Sequence, residues 1–315
     1  MINGEIWKDN KGSTIHAHGG CIIKWEDYFF WYGENRTEDI YVSCYSSKDL
    51  INWTFENNVL TAASHVAETR VRADLSLRNK SGGKVNIERP KVLYNKKTEK
   101  FVMWMHYENG MDYNCAAAAI AVCDTPAGDF IYYGSFRPYG YMSRDCTLFQ
   151  DNDGQAYFLS ASRDNADMHM YLLQDDYMNV ERIEGRFWQG EYREAPAMVK
   201  NGGLYYILSS FCTGWAPNQC KYAKTNNIKN GFGYLTEIGN RTTYHSQPAF
   251  ILTIEGTEET TYIYVGDRWD GTQYHNSRYV WYPLSFGSDR SVKLIPCEEI
   301  YIDVISGKYE MKNKV

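Results

Sequence analysis

The sequence lacks the patterns that mark several large protein classes. None of its apolar runs approaches the ~18 residues that a membrane-spanning helix needs. It has no basic stripe, and its net charge of −6 disfavours nucleic acid as a partner. No long segment shows the 3.6-residue apolar period, with caps, that predicts a helix. We therefore expect neither a membrane protein nor a nucleic-acid-binding protein, and we expect little helix.

Several chemical motifs are also missing. There is no G-x-S-x-G elbow, no G-x-x-x-x-G-K-[ST] loop and no H-E-x-x-H helix. The eight cysteines contain no C-x-x-C pair, which disfavours zinc and favours reduced thiols. His16 and His18 would share one face of a strand, but a metal pair is the less favoured interpretation, and we predict no metal ligand. No apolar signal segment follows Met1, so we expect a cytoplasmic location, or secretion if a leader has been removed.

Aromatic residues are abundant, and they fall in short strand-like runs. Aromatic residues make up 16% of the chain, with 27 Tyr and 9 Trp. Runs rich in aromatic and β-branched residues alternate with Gly, Asn and Asp turns, a pattern typical of β-hairpins. Five such hairpins span residues 21–33, 91–107, 147–160, 197–208 and 249–265. The run from Ala116 to Ala119 fits a buried strand better than a helix.

A polar residue opens the first strand of each hairpin. These openers are His18, Glu88, Asp145, Glu194 and Gln247, and their spacing of roughly 50 to 70 residues is typical of repeated β-units. If each unit is a propeller blade, its first strand lines a central channel and the five openers meet there. We therefore predict an all-β, five-bladed β-propeller. We assign residues 1–315 to a single domain, with a core over about 15–303 and a loose C-terminal tail at 304–315.

Three of the openers are carboxylates: Glu88, Asp145 and Glu194. Carboxylates gathered in a partly apolar channel acquire different pKa values, because like charges and desolvation raise some of them. One protonated and one ionised carboxyl group is the arrangement that hydrolyses glycosidic bonds. The alternative is that these residues only cap strand ends, which is less favoured for all five together.

Eight segments carry a resemblance to a known family. They are HAHGG at 16–20, WYGE at 31–34, ERPKV at 88–92, GSFRP at 134–138, SRD at 143–145, EAPAM at 194–198, TGW at 213–215 and GDRW at 266–269. On these segments, from Ile15 to about Phe286, the chain resembles the catalytic domain of glycoside hydrolase family 43 and, within it, the exo-β-1,3-galactanases. This resemblance implies a five-bladed propeller as well.

The resemblance implies catalytic roles for three residues. Glu194 is similar to the general acid, Gln247 to the residue that orients the attacking water, and Glu88 to an assisting carboxylate. His18 stands where most of the family carries an Asp base, a departure that the galactanase branch shares. The family inverts the anomeric centre, so we expect about 6.5 to 9.5 Å between the acid and the water-activating group, across facing blades. Whether Gln247, His18 or Glu88 serves as the base stays open.

The resemblance also implies the substrate and its contacts. The expected substrate is a β-1,3-linked galacto-oligosaccharide or polysaccharide, such as an arabinogalactan backbone, cut from the non-reducing end. The implied sugar contacts are Glu34, Arg89, Tyr113, Asp145, Asn165, Gly214 and Trp215. No cofactor is required, although the resemblance is compatible with a structural Ca²⁺. The alternatives are another family 43 glycosidase (an arabinofuranosidase, xylosidase or galactosidase) and a sugar-binding propeller without catalysis; no oligomeric state is predicted.

Overall fold

The described residues form five four-stranded antiparallel sheets in chain order. A computed structural model describes residues 1–68 and 74–313. Blade 1 contains β1 (His18–Trp25), β2 (Tyr28–Glu34), β3 (Ile40–Ser47) and β4 (Thr54–Thr61). Blade 2 contains β5 (Asn86–Asn95), β6 (Lys100–Glu108), β7 (Ala117–Cys123) and β8 (Ile131–Phe136). Blade 3 contains β9 (Cys146–Gln150), β10 (Ala156–Ser162), β11 (Asp167–Leu173) and β12 (Val180–Phe187).

The remaining strands complete the ring. Blade 4 contains β13 (Arg193–Asn201), β14 (Leu204–Phe211), β15 (Lys221–Thr225) and β16 (Thr236–Glu237). Blade 5 contains β17 (Gln247–Glu255), β18 (Thr260–Arg268), β19 (Arg278–Phe286) and β20 (Val292–Leu294). The innermost strands contact one another in the order β1, β5, β9, β13 and β17, and β17 contacts β1 again. The predicted five-bladed β-propeller is confirmed.

Helix is scarce in the part of the chain that the structure describes. Short 3₁₀ turns occur at Pro138–Gly140, Ile228–Asn230 and Tyr274–Asn276. No described helix has the length and apolar character needed to cross a membrane.

A bulge follows the opener of the innermost strand in four blades. The register shifts between His18 and Cys21, Glu88 and Lys91, Glu194 and Ala197, and Pro248 and Phe250. The next residue adopts positive φ in three of them: Gly19 at 59°, Arg89 at 53° and Ala195 at 50°. Pro90 and Pro196 then lack the N–H that a regular ladder would use. Because a bulge re-aims nearby side chains, these motifs can direct Glu88, Glu194 and Gln247 into the channel.

Strand β7 shows why small residues suit the space between blades. Ala117, Ala119 and Ala121 pack into one core cluster, while Ala118 and Ile120 pack into another. Successive side chains of a strand point to opposite faces, so β7 is buried on both sides. The predicted buried strand at Ala116–Ala119 is confirmed, with Ala116 just outside β7 at its start.

Aromatic packing closes the ring between blades 1 and 5. The Trp7 ring lies 6.0 Å from Trp31 of blade 1 and 5.4 Å from both Tyr279 and Trp281 of blade 5. The side chain of Asn3 accepts a hydrogen bond from the backbone N–H of Trp281 at 2.7 Å and donates one to the backbone carbonyl of Trp281 at 3.0 Å. The N-terminal segment therefore lies in the seam between the first and last blades.

The prediction of a loose tail over residues 304–315 is wrong for its described part. Strand β22 (Tyr309–Lys312) pairs with β21 (Glu299–Ile302). Tyr309 and Met311 pack against the core cluster that blades 1, 4 and 5 share, while Glu310 and Lys312 are exposed. This alternation is the period of a half-buried strand, and the charges that make up its exposed face suggested a loose tail.

Candidate active site

A cavity of about 410 Å³ lies where the innermost strands begin. All five blades contribute to its wall. The lining residues are Glu34, Arg36, Glu88, Arg89, His106, Tyr113, Arg144, Asp145, Asn165, Glu194, Cys212, Gly214, Trp215, Gln247 and Trp269. Such a concave site with convergent polar groups is the expected form of a small-ligand site.

Glu194 is a partly buried carboxyl group beside a second carboxylate. Its Oε1 accepts a hydrogen bond from Nε2 of Gln247 at 2.9 Å, and Asn165 Nδ2 lies 3.4 Å from its Oε2. Burial raises the pKa of Glu194, and the nearby charge of Asp145 raises it further, to about 7. A carboxyl group with such a pKa is protonated often enough near neutral pH to act as a general acid.

The amide of Gln247 is fully hydrogen-bonded. Its Nε2 donates to Glu194 and to Ser210 Oγ, both at 2.9 Å. Its Oε1 accepts from Arg89 and, at 2.7 Å, from Trp269 Nε1. These contacts use both donors and both acceptor positions of the amide. The expected wide gap between Glu194 and Gln247 is therefore wrong: their blades are neighbours, and the two side chains touch.

Arg89 connects several blades through one side chain. Its Nε lies 3.1 Å from Asp145 Oδ2, and its NH1 donates to the carbonyl of Pro248 at 3.0 Å. Its backbone N–H donates to Glu34 Oε1 at 3.0 Å. Arg89 thus balances the buried negative charge of the cavity, and this pairing limits the desolvation cost of the carboxylates.

Glu88 has the opposite protonation state from Glu194. Its Oε2 lies 3.2 Å from His106 Nδ1, and its Oε1 accepts from Tyr113 at 2.7 Å and from Arg36 at 3.1 Å. Burial alone would raise the pKa of Glu88, but His106, Arg36 and Tyr113 outweigh it and lower the pKa to about 2. The site therefore presents an ionised Glu88 and a protonatable Glu194, the separation of states that acid–base catalysis needs.

Aromatic rings form one wall of the cavity. Trp269 stacks on Tyr274 with ring centroids 5.8 Å apart, and Trp215 meets Trp269 edge-on at 5.6 Å. The Arg36 guanidinium lies 4.4 Å from the Tyr274 ring centroid. Flat apolar surfaces with polar edges suit sugar rings, which carry both CH faces and hydroxyl groups.

Comparison with protein families identifies this architecture. The model of the family "Glycosyl hydrolases family 43" matches residues 17–279, which run from blade 1 to the start of β19 in blade 5. The chain belongs to this family. No curated protein sequence matches the chain.

Solved structures of family 43 enzymes resemble the chain over nearly its whole length. An exo-β-1,3-galactanase from Clostridium thermocellum is 44% identical, with a TM-score of 0.91, over 99% of this chain and 68% of that one. An exo-β-1,3-galactanase from Phanerochaete chrysosporium is 34% identical, with a TM-score of 0.86, over 99% of this chain and 70% of that one. The latter has been solved with galactose and, as variants, with β-1,3-galactotriose.

The structure of this family 43 chain brings all ten predicted site residues to the cavity wall. They are Glu34, Glu88, Arg89, Tyr113, Asp145, Asn165, Glu194, Gly214, Trp215 and Gln247. His18 does not line the cavity. Its Nδ1 lies 2.9 Å from Asp267 Oδ1, and its buried ring stacks on Tyr279 at 4.4 Å. Of the three candidates for the base, only Gln247 and Glu88 therefore face the cavity.

Sequence reasoning missed five lining residues: Arg36, His106, Arg144, Cys212 and Trp269. His106 lies opposite Glu88 in the β5–β6 ladder, so a polar residue within the apolar second strand was the available signal. Trp269 belongs to the GDRW segment, and Arg36 follows WYGE by two positions. Both lie in or beside segments that carried the resemblance, but nothing in their spacing indicated which way their side chains point.

One carboxylate–histidine cluster has side chains of the kind that hold a metal ion, and its fit to a structural Ca²⁺ can be examined. Glu88, His106 and Asp145 have potential ligand atoms within 4.8 Å of one another. However, both ring nitrogens of His106 face carboxylates, Nδ1 towards Glu88 at 3.2 Å and Nε2 towards Glu108 at 2.9 Å. Burial opposes the charge, but the contacts with Glu108 and Glu88 raise the pKa of His106 to about 9. A protonated imidazole offers no lone pair, so these residues do not fit a cation site.

We expect the pH at which kcat falls to depend on the negative charge of Asp145. We predict that Glu194 is the general acid and is active only when protonated, so kcat of the unmodified enzyme should fall as the pH rises through about 7, the pKa of this residue. In Asp145→Asn the repulsion that raises the pKa of Glu194 is gone, so the fall should begin at lower pH. Profiles of kcat on a β-1,3-galacto-oligosaccharide test this. Asp153→Asn, an exposed aspartate outside the cavity, is the control, and an upward shift in Asp145→Asn would contradict the electrostatic account.

The His106→Gln substitution should destabilise the fold. It removes a buried positive charge held between Glu88 and Glu108, and breaking such a pair costs about 3–5 kcal/mol. Since the folded-state pKa is raised from 6.5 to about 9, this stabilisation is fully present below pH 6.5 and is lost as the pH rises through 9. Urea unfolding at pH 6 and pH 10 measures both effects. Exposed His65→Gln is the control, and a loss that does not shrink at pH 10 would contradict the charged state.

Proposed function

We propose that this chain is an exo-β-1,3-galactanase, a hydrolase that releases galactose from the non-reducing end of β-1,3-galactan. The observation that carries the proposal is Glu194, a carboxyl group with a pKa of about 7 in a cavity that also holds an ionised carboxylate. The similarity to galactanases at 44% and 34% identity supports the substrate class, and the exo mode follows those relatives. Galacto-oligosaccharide binding is supported by the relatives solved with galactose and galactotriose.

The proposed reaction begins with proton transfer from Glu194. Its carboxyl proton passes to the oxygen of the scissile bond, the bond between that oxygen and C1 breaks, and the shortened galactan leaves with a new hydroxyl group. A water molecule adds its oxygen to C1 from the opposite face, which inverts the anomeric centre, and it loses one proton to the solvent, from which Glu194 is reprotonated. Glu194 is ionised after this step and regains its proton before the next cycle.

Gln247 and Glu88 are proposed to act on the water and on the acid. In the free protein Gln247 holds Glu194 in place through its 2.9 Å hydrogen bond. To orient a water with Oε1, Gln247 must release either Arg89 or Trp269 when the substrate binds, because both acceptor positions are occupied. Glu88 remains ionised throughout and belongs to blade 2, which does not neighbour blade 4. The negative charge of Glu88 can therefore stabilise the positive charge that builds on the attacking water, away from Glu194, while the proton itself passes to solvent.

The direct test is incubation of the protein with linear β-1,3-galactan. We expect galactose as the sole early product, released as its α-anomer because the β-linkage is inverted, and NMR of the first turnovers distinguishes the two anomers. Xylan and arabinan are the controls. Release of xylose or arabinose without galactose would move the chain to another family 43 activity, and internal cleavage to oligosaccharides would contradict the exo mode.

A further inference from the structure

Two exposed aromatic residues lie beside the proposed acid and outside the cavity wall. Tyr192 is 47% exposed and Phe211 is 44% exposed. Their rings meet edge-to-face with centroids 6.5 Å apart. Burying a large apolar side chain is favourable, so two neighbouring rings left partly in water forgo this gain. Such a patch at the edge of a binding site is typical of a ligand contact.

Hydrogen bonds hold the backbone that carries both rings. The side-chain amide of Asn218 accepts from the Phe211 N–H at 2.9 Å and donates to the Phe211 carbonyl at 2.6 Å. Tyr192 adopts positive φ at 50°, an uncommon conformation for a bulky residue, and its carbonyl accepts from Cys212 Sγ at 3.2 Å. A surface held in this way loses little entropy when a ligand binds.

The register places the pair next to Glu194. Strand β13 pairs with β14 so that Glu194 faces Ser210 and Arg193 faces Phe211. Phe211 and Tyr192 therefore lie just beyond the acid at the rim of blade 4. A general acid must stand beside the leaving oxygen, so the first sugar of the leaving group lies next to Glu194, and this rim is the exposed aromatic surface that adjoins Glu194 in the strand register.

We propose that Tyr192 and Phe211 form an aromatic platform that binds the galactose units on the leaving side of the scissile bond. This inference rests on the proposed function, and it adds where the polysaccharide lies once its terminal sugar fills the cavity. The axial 4-hydroxyl of galactose leaves one face of the ring as a patch of CH groups. That face can stack on aromatic rings. Trp215 is not part of the platform, because it belongs to the aromatic wall with Trp269 and Tyr274.

Calorimetric titration of an inactive variant tests the platform. In the Glu194→Gln background, galactose and β-1,3-galactotriose are titrated into the parent and into the same protein with Phe211→Ala. We expect galactotriose to bind about tenfold more weakly after Phe211→Ala, a loss that corresponds to about 1.4 kcal/mol. Galactose affinity should not change, because the single sugar occupies the cavity. Phe211→Tyr should keep the trisaccharide affinity of the parent.

Controls and contrary outcomes separate this inference from the proposed function. Tyr234→Ala removes a 98% exposed ring away from the cavity and should change neither affinity. Circular dichroism confirms folding, which an exposed position should not disturb. Unchanged galactotriose binding after Phe211→Ala, or an equal loss for galactose, would overturn the platform. If the parent binds galactose and galactotriose with equal affinity, the platform is rejected and the proposed function is not. If the parent binds neither sugar, the proposed function is rejected as well.

Discussion

Replacing Glu194 with glutamine is expected to lower kcat on β-1,3-galactan by about 10²- to 10⁴-fold, the usual contribution of a general acid. Glutamine has nearly the same size, so the contact with Gln247 and the shape of the cavity should persist. It cannot donate a carboxyl proton to the leaving oxygen. Galactose release measures the loss, and calorimetry with galactotriose should show that binding is retained.

The matched control is Glu255→Gln, the same chemical change at an exposed position of blade 5. It should leave kcat unchanged. The two variants also need comparison on an activated aryl β-galactoside, whose leaving group departs without a proton. There the defect of Glu194→Gln should be much smaller. Full turnover of galactan by Glu194→Gln would remove this residue from the acid role, and an equal loss on both substrates would indicate a disturbed cavity instead.

Replacing Gln247 with alanine is expected to lower kcat by about 10²-fold, because small displacements of reacting groups cost rates of this order. The substitution removes the donor that holds Glu194 and the acceptor that Arg89 and Trp269 share. Buried donors left without a partner further destabilise the site. Gln247→Glu should be milder, since a carboxylate still accepts from Arg89 and Trp269.

Steady-state kinetics of the two Gln247 variants test whether this amide orients the acid Glu194 and the attacking water. Gln189→Ala, at an exposed glutamine in the connection between blades 3 and 4, is the control and should behave as the unmodified enzyme. Equal and mild effects of Gln247→Ala and Gln247→Glu would show that neither the acid nor the water depends on this amide. The activation of water would then fall to Glu88, because His18 lies outside the cavity.

The five-bladed ring and the polar residues that open its innermost strands could be predicted because both depend on patterns within short stretches of sequence. Glu88 and Glu194 are each followed, two residues later, by a proline within an apolar strand. The bulge at this proline lies within one strand pair, so it does not depend on the sequence of the neighbouring blade. The aromatic and β-branched runs between turns likewise determine hairpins locally. The ring order then follows from chain order, since each blade is built from consecutive strands.

The contacts within the site could not be predicted in the same way. The direct bond between Gln247 and Glu194 depends on how closely blades 4 and 5 pack, which no pattern within either blade encodes. His106 faces Glu88 only because of the register of β5 and β6. The tail was mispredicted for a related reason, since the charges of Glu310 and Lys312 suggested solvation, while their pairing partners, Tyr301 and Glu299, lie outside the tail in β21.

The packing of Trp7 between blades 1 and 5 has a consequence for how this enzyme loses activity on heating. Blades 1 and 5 are joined there by side-chain packing, while each sheet is complete within its own blade. Glu34 comes from one side of the seam and Gln247 from the other, and Arg89 bonds to both. A small separation of blades 1 and 5 would break the contacts of Arg89 with Glu34 and Gln247 while every sheet keeps its own hydrogen bonds. Loss of turnover on heating should therefore precede loss of β-structure, so that catalysis reports ring closure before spectroscopy does.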